Sequence, residues 1–296
     1  MLAALLLYAS LVNDVRSLVA RDDFAAAERA VRSYEAQAGG TPEAAAALSW
    51  LARGELEARH YDRAEAYAGE ARKLTDQLLQ THRLDSDPWL PVALGASIEV
   101  HAQALTGLGQ RDEAVTYLRQ QLKLLAATPV AERIQKNLNL LSLEGKPAPP
   151  LQIADFLGTR PPSLAALHGH PVLLFFWAHW CPDCKAEVPI LTDIERIYAP
   201  KGLILIGPTK LYGYVEGGEP ASPAVEKQYI EKVRRQFYAP LSAMTIPLDE
   251  ANFQRYGCST TPTLVLLDGN GMVRFYHPGA VPEAELARRI QAVLAR

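Results

Sequence analysis

The chain has 296 residues, of which 49% are hydrophobic and 21% are charged, a composition ordinary for a globular protein. Its length is sufficient for two domains. The formal net charge of −3 gives no reason to expect a nucleic-acid partner. Three cysteines are too few for a disulfide-built scaffold, and no window reaches the roughly 18 apolar residues of a membrane span.

The first twelve residues, MLAALLLYASLV, are apolar but lack the basic flank of a secretory signal. They could be the end of a signal that begins upstream. They could equally be the first turns of a buried helix, because the apolar pattern continues into the next segment. The residues alone therefore leave the cellular compartment open.

Residues 1–144 are predicted to form an all-helical domain. They are rich in Ala, Leu, Arg and Glu, and their apolar positions recur at spacings of three and four residues. A weak internal repeat begins at RDDFAAAERA (21–30), RHYDRAEAYA (59–68) and GQRDEAVTYL (109–118). Each copy opens with a polar turn, and the aligned small residues that follow are Ala27, Ala64 and Ala114.

The spacings between these alanines, 27 to 64 and 64 to 114, are 37 and 50 residues. They approach the tetratricopeptide period of about 34 residues if insertions are allowed. Small residues let paired helices approach closely, and stacked helix pairs offer an extended surface on which other proteins can dock. The sequence predicts a tetratricopeptide-like domain, with a plain helical bundle as the alternative.

The proline-rich segment LEGKPAPPLQIADFLGTRPPS (143–163) predicts a stiff connection and a domain boundary near residue 145. Strand and helix patterns alternate beyond it, which predicts an α/β domain over residues 145–296. The predicted elements are a strand at 171–178, a helix at 182–198, a strand at 201–209, a helix at 221–239, a hairpin at 263–279 and a helix at 281–296.

Two of the three cysteines, Cys181 and Cys184, lie in FFWAHWCPDCKAEVP, between a predicted strand and a predicted helix. If Cys181 caps the helix, the two Cα atoms lie roughly 5–5.5 Å apart, within the range of about 4.4–6.8 Å found in disulfides. Backbone N–H groups at the helix start would stabilise a thiolate on Cys181, an exposed nucleophile. Cys184, one turn further in, would resolve the mixed disulfide.

Two other uses of the pair fit the residues less well. A zinc site needs four ligands, and the remaining Cys258 has no nearby Cys or His. A permanent disulfide across four residues closes too short a loop to stabilise the fold much. The residues therefore favour a redox pair, which needs no metal or other cofactor in the chain.

The segments FFWAHWCPDCKAEVPIL, GCSTTPTLVLLDGNG and FYHPG resemble the thioredoxin superfamily, and more narrowly the TlpA/ResA-like disulfide reductases of bacterial cell envelopes. The resemblance covers residues 146–296 and rests on the motif WCxxCxxExP. It implies a thioredoxin fold, protein substrates with disulfides or thiols, and an upstream thiol electron donor. It also implies a location in the bacterial envelope or periplasm, with the cytoplasm as the alternative.

The resemblance also implies roles for individual residues. Cys181 matches the attacking cysteine and Cys184 the resolving one, while Trp180 matches the aromatic residue before the pair. Thr261 and Pro262 match the loop whose cis-proline faces the disulfide, with the Thr261 backbone available to a substrate strand. These residues form the predicted catalytic and substrate-binding set.

Glu187 matches the acid of CxxCxxE, which in the family lies near the cysteines and influences their titration. The buried strand Asp of ordinary thioredoxins corresponds to Phe175 here, which favours Glu187 as the proton-handling group. An ordinary surface position on the helix is the alternative for Glu187. The dipeptide between the cysteines is Pro-Asp, where thioredoxin has Gly-Pro.

Three further residues have open interpretations. Asp183 opposes a thiolate on Cys181 electrostatically, or is simply a favourable first-turn residue. His179 could donate to or pair with the thiolate, or be a solvated loop histidine. Cys258 could be a third redox thiol, although a lone Cys is more often a small buried hydrophobe. The loop KLYGYVEGGEPASP (210–223) is predicted to lie at the rim of the sheet and shape the partner surface.

The sequence thus predicts a thiol–disulfide oxidoreductase that acts as a protein disulfide reductase, with the helical half as a docking surface. One alternative is a peptide-binding adaptor in which the thioredoxin fold is not catalytic. Another is a thiol peroxidase, but that chemistry typically uses a Thr three residues before the reactive Cys, and the corresponding residue is Ala178.

Overall fold

A computed structural model describes residues 10–295 of the chain. Residues 1–9, which contain most of the apolar N-terminal stretch, lie outside the described range, whereas Leu11 and Val12 open the first helix and are buried. The chain divides into two compact units between Asn137 and Leu138. This division falls before the proline-rich segment at which the sequence predicts the boundary.

Helices make up the first unit. They are α1 (Leu11–Val19), α2 (Phe24–Ala38), α3 (Pro42–Glu57), α4 (Tyr61–Leu78), α5 (Trp89–Gly107), α6 (Arg111–Leu124) and α7 (Ala131–Ser142), the last of which extends past the division. Local signals set several starts: Asp23 accepts the Ala26 N–H at α2, and Thr41 accepts the Ala44 N–H at α3. The all-helical prediction is confirmed for this part of the chain.

The same turn recurs at the three places where the sequence repeat begins. A residue with positive φ follows α1, α3 and α5, and its N–H and the next N–H bond back to carbonyls three and five residues earlier. The turn residues are Asp22, Arg59 and Gly109. Five positions after each turn stands a fully buried alanine, and these are Ala27, Ala64 and Ala114.

Successive helix pairs pack on one another: α1 contacts α2 and α3, α3 contacts α4 and α5, and α5 contacts α6. Buried alanines fill much of this core, including Ala45, Ala46 and Ala47 of α3, and their small size lets the helix axes approach. The repeat is therefore a repeat of structure, whereas its assignment to the tetratricopeptide class stays a prediction.

The second unit contains strands and helices. The strands are β1 (Phe156–Leu157), β2 (Val172–Phe176), β3 (Ile204–Ile206), β4 (Ile246–Pro247), β5 (Thr263–Leu267) and β6 (Val273–Pro278). The helices are α8 (Pro182–Ala186), α9 (Val188–Tyr198), α10 (Pro223–Phe237), α11 (Glu250–Tyr256) and α12 (Glu283–Leu294).

The central sheet has the strand order β3-β2-β5-β6, and β1 pairs with β4 in a small separate ladder. β2 runs parallel to β3 and antiparallel to β5, which in turn is antiparallel to β6. The mixed sheet and its helices form the thioredoxin fold that the resemblance implied. All five residues of β2 are buried, as predicted for a strand covered on both faces.

One predicted element differs in the structure, because the helix expected at 182–198 is interrupted at Glu187. Pro189 explains the break, since it has no N–H to donate to the carbonyl of Lys185 and its ring crowds that carbonyl. The chain therefore starts a second helix, α9, directly after the active-site helix α8.

Alternate residues of β2 face two apolar clusters, one on each face of the sheet. Leu173 and Phe175 belong to the cluster that also contains Cys181 and Cys184. Phe176 belongs to the opposite cluster, which holds Cys258. The redox pair and the third cysteine thus lie in different parts of the core.

The packing of alanines in the helical unit predicts that two Ala→Leu substitutions in α4 differ in their effect on stability. Ala64 of α4 is fully buried, whereas Ala66 is exposed. Ala64→Leu should lower the free energy of unfolding by about 1–3 kcal/mol through overpacking, and Ala66→Leu should change it by less than about 0.5 kcal/mol. Urea unfolding of both variants, followed by circular dichroism, measures the difference; equal effects would contradict the packing role of Ala64.

Candidate active site

The two cysteines lie where β2 delivers the chain to the start of α8. Cys181 is the N-cap residue, and its Sγ accepts the backbone N–H of Cys184 at 3.0 Å. The two residues form a disulfide with their Cα atoms 5.3 Å apart, inside the predicted interval. The N–H that meets Sγ in the disulfide is placed to stabilise a thiolate once the pair is reduced.

Cys181 is more enclosed than the sequence suggested. The expectation of an exposed nucleophile is wrong for this disulfide state, since Cys181 is 2% exposed and Cys184 is fully buried. The physical reason is packing: both residues belong to the apolar cluster on one face of the sheet, and the carbonyl oxygen of Thr261 lies 3.5 Å from Sγ of Cys181. In the disulfide form, Cys181 is therefore bordered closely by apolar side chains and by the Thr261 carbonyl.

The Thr261–Pro262 peptide bond is cis, as the resemblance implied. Pro262 is buried, and its carbonyl accepts the N–H of Gly279 at the end of the β5–β6 hairpin. The Oγ1 atom of Thr261 is buried and has no hydrogen-bond partner within residues 10–295. The use of the Thr261 backbone by a substrate strand stays a prediction.

Glu187 occupies the turn between α8 and α9 and is 3% exposed, so the alternative of an ordinary surface residue is wrong. Its Oε1 accepts the N–H of Val281 at 3.2 Å, and its Oε2 is buried without a hydrogen-bond partner among the described residues. Burial raises the pKa of Glu187, Asp183 raises it further, and the Val281 N–H acts in the opposite direction. A carboxyl with this environment is suited to take up and release a proton.

His179 is 1% exposed, so the interpretation as a solvated loop histidine is wrong. Its Nε2 lies 3.3 Å from Oε1 of Glu226, a fully buried carboxylate on α10. Burial lowers the pKa of His179, while Glu226 acts to raise it. Direct tuning of the thiolate by His179 stays a prediction.

The sequence did not single out Glu226. Its carboxylate also accepts the backbone N–H groups of Tyr212 and Gly213, at 2.5 and 2.8 Å. Nothing in the local pattern marks it, because an acidic residue in the first turn of a helix is common. Its partners are 13 and 14 residues away in sequence, and only the fold brings them together.

The other predicted residues, Trp180, Asp183 and Cys258, and the neighbouring Trp177 lie as follows. Trp180 is 46% exposed, and Asp183 is exposed in the first turn of α8. Trp177 is fully buried, with its indole N–H donating to the carbonyl of Gly207 at 2.9 Å, so it is a packing residue. Cys258 is 3% exposed among apolar side chains, as expected for a small buried hydrophobe.

Within residues 10–295, no group of three or more His, Cys, Asp or Glu is arranged to hold a metal ion. No helix in that range combines the length and the apolar character needed to cross a bilayer.

Comparison with known proteins gives consistent relatives. Residues 162–294 match the family model described as a thioredoxin-like domain. Thiol:disulfide interchange protein DsbE of Xylella fastidiosa strain Temecula1 is 30% identical over 158 residues, which cover 52% of this chain and 71% of that protein. Thiol-disulfide oxidoreductase ResA of Geobacillus thermodenitrificans is 26% identical over 153 residues, covering 50% of this chain and 77% of that protein.

Among solved structures, a thiol:disulfide interchange protein of Chlorobium tepidum matches with 19% identity and a TM-score of 0.39, over 51% of this chain and 97% of that one. The sequence relatives define the class: the chain belongs to the thioredoxin-like family of thiol-disulfide oxidoreductases. It is an enzyme of the thioredoxin type, so the adaptor and peroxidase alternatives are not needed.

The environment of Glu187 predicts a pH-dependent stability. The pKa of Glu187 is raised in the folded protein, so the folded state binds this proton more tightly than the unfolded state does. The free energy of unfolding therefore decreases as the pH rises from the ordinary Glu pKa through the raised one. Glu187→Gln does not titrate, so its stability relative to the wild type should increase across that interval. Urea unfolding of both oxidised proteins between pH 4 and pH 8 tests this, and a constant difference would contradict it.

Proposed function

We propose that the enzyme reduces protein disulfides, with Cys181 as the attacking thiolate and Cys184 as the resolving thiol. The observation that carries this proposal is the N-cap position of Cys181, whose Sγ accepts the N–H of Cys184 at 3.0 Å. A thiolate is the nucleophile in disulfide exchange, and a hydrogen bond from the backbone favours that form.

The reaction takes two exchange steps. The Cys181 thiolate attacks one sulfur of the substrate disulfide, forms a mixed disulfide and releases the other sulfur as a thiolate, which takes a proton from water. Cys184 then loses its proton and attacks Sγ of Cys181, which closes the 181–184 disulfide and frees the second substrate thiolate. The substrate gains two electrons that the enzyme loses, and a dithiol donor must return the enzyme to its reduced form.

Glu187 is proposed to accept the proton of Cys184 in the second step, directly or through water. Support comes from its burial, from an Oε2 without a hydrogen-bond partner in residues 10–295, and from its raised pKa, which brings the carboxyl closer to the working pH. The turn that holds Glu187 directly follows the helix of Cys184, so one local segment carries both the thiol and the acid.

The reductive direction is proposed on electrostatic grounds. A strong oxidant requires a strongly stabilised thiolate in its reduced form. Here one N–H bonds to Cys181, while the carboxyl group of Asp183 lies on the same short helix, where its negative charge opposes a thiolate. A weakly stabilised reduced form corresponds to a low reduction potential.

The helical unit is proposed to dock a protein partner, either a client or the electron donor. Trp50 of α3 lies under two guanidinium groups, those of Arg16 at 4.5 Å and Arg53 at 4.7 Å. These three residues line a cleft of about 540 Å³. Glu57 also lines the cleft, which with two arginines and a tryptophan keeps an excess of positive charge and suits a partner segment that carries a carboxylate.

A location in the bacterial cell envelope is part of the proposal, because disulfides form and persist in oxidising compartments. In such a compartment, a reductase would reverse unwanted oxidation of selected thiols. Fractionation of cells that express the full chain tests it, and recovery of the protein only with cytoplasmic markers would favour the alternative location.

A trapping experiment tests the chemistry. Cys184→Ser should accumulate mixed disulfides through Cys181, whereas Cys181→Ser should form none and should lose activity toward insulin at least about 10³-fold. Non-reducing gels and mass spectrometry of the trapped species measure the outcome.

Adding Trp50→Ala to the Cys184→Ser variant should reduce the yield of trapped protein clients but not that of a short peptide disulfide. Equal losses of both would contradict docking by the helical unit.

The reduction potential of the 181–184 pair tests the proposed reductive direction. Equilibration of the full chain with glutathione or dithiothreitol buffers should give a potential for the 181–184 pair below about −200 mV, on the reducing side of disulfide isomerases. A value near about −120 mV, typical of strong oxidants, would reverse the proposed direction. Asp183→Asn should shift the potential upward, because it removes a charge that opposes the thiolate.

A further inference from the structure

The loop 210–223 brings a tyrosine against the residue that precedes the redox pair. The rings of Tyr212 and Trp180 meet edge to face with centroids 5.5 Å apart. Tyr212 also contacts the ring of His179 at 5.5 Å, and the ring of Phe253 lies 6.4 Å away. The ammonium group of Lys210 lies 5.6 Å from the centre of the Tyr212 ring. Tyr212 is therefore held from several sides.

A single buried carboxylate fixes the backbone of this tyrosine. Glu226 of α10 accepts the N–H groups of both Tyr212 and Gly213, and its Oε1 lies 3.3 Å from Nε2 of His179. One side chain thus joins the loop, α10 and the segment that leads to Cys181. Leaving a buried carboxyl group without its hydrogen-bond partners is costly, so Glu226 holds these segments together rigidly.

The exposure of Trp180 contrasts with that of its neighbours. Trp177, His179 and Cys181 are all buried, whereas Trp180 is 46% exposed and rests its ring on Tyr212. An aromatic ring that is already fixed at the surface offers apolar area to a partner and loses little conformational freedom on binding. We call the rings of Trp180 and Tyr212 the aromatic wall.

We propose that the aromatic wall, Trp180 and Tyr212, is a specificity surface that receives an apolar side chain next to the reactive cysteine of the substrate. A residue adjacent to the attacked cysteine is one Cα step of about 3.8 Å away, which brings its side chain within reach of the indole next to Cys181. Glu226 and His179 are positioning residues that hold the wall. This inference rests on the proposed attack of Cys181 on protein disulfides.

The two ammonium groups near the wall already have partners. Lys210 pairs with Glu250 at 3.5 Å, and its side chain is 13% exposed. The ammonium of Lys185 lies 4.5 Å from the ring centre of Phe237. The exposed surface of the wall comes mainly from the indole of Trp180, which favours an apolar side chain over a charged one.

The test compares two peptide disulfides that differ only beside the cysteine. One carries Leu on both sides of the Cys and the other carries Ser, with identical net charge and length. Pre-reduced full-length protein is mixed with each peptide in the absence of other reductants, and single-turnover rate constants are measured. The wild type should react about tenfold faster with the Leu peptide, the size expected for burial of one aliphatic side chain.

Two variants and a control identify the wall. Tyr212→Ala should bring the Leu-to-Ser rate ratio close to one, and Glu226→Gln should lower it in the same direction. Phe156→Ala should keep the wild-type ratio, because it removes a half-buried aromatic side chain whose cationic partner is Arg160, outside the wall. In Glu226→Gln, acrylamide should also quench the Trp180 fluorescence more strongly, with Trp180→Phe defining that component.

The outcomes separate this inference from the proposed function. Equal rates with both peptides, or a tenfold preference that survives in Tyr212→Ala, would overturn the aromatic wall and leave the reductase chemistry intact. A wild-type protein that reacts with neither peptide would overturn the proposed function and this inference with it. If Glu226→Gln does not fold, the ratio in Tyr212→Ala decides.

Discussion

The active site depends on one hydrogen bond, from the backbone N–H of Cys184 to Sγ of Cys181. It requires Cys181 to stand at the N-cap of α8, and that position requires β2 to end at Phe176 with the right number of residues before the helix. The sheet, buried on both faces, fixes where β2 ends. The chemistry of the sulfur is thereby linked to the packing of the core.

Two buried carboxyl groups flank the redox segment and are satisfied in different ways. Glu187 has one backbone N–H on one oxygen and no partner for the other among the described residues, and its pKa is raised. Glu226 is bonded by two successive N–H groups and lies beside His179. The first arrangement favours proton exchange, whereas the second holds the loop backbone in place through hydrogen bonds.

Short-range patterns predicted much of this protein, because the physics behind them is local. The cysteine spacing, the cis bond before Pro262 and the buried strand β2 each depend on a few neighbouring residues or on a motif. The partnership of Glu226 with Tyr212 joins separate segments, and no periodicity encodes it. The enclosure of Cys181 was missed for the same reason, since it results from packing by distant parts of the chain.

The hydrogen bonds of the loop beside the active site separate its two halves. The N–H of Ala221 donates to the carbonyl of Gly213, so the two ends of segment 213–221 lie next to each other. The segment begins at Gly213, whose N–H donates to Glu226. Adding residues to a loop whose ends are already bonded costs little additional conformational entropy. Changes in the length or sequence of this segment should therefore leave the backbone of Tyr212 held by Glu226, so the outer part of the loop tolerates variation that the redox segment does not.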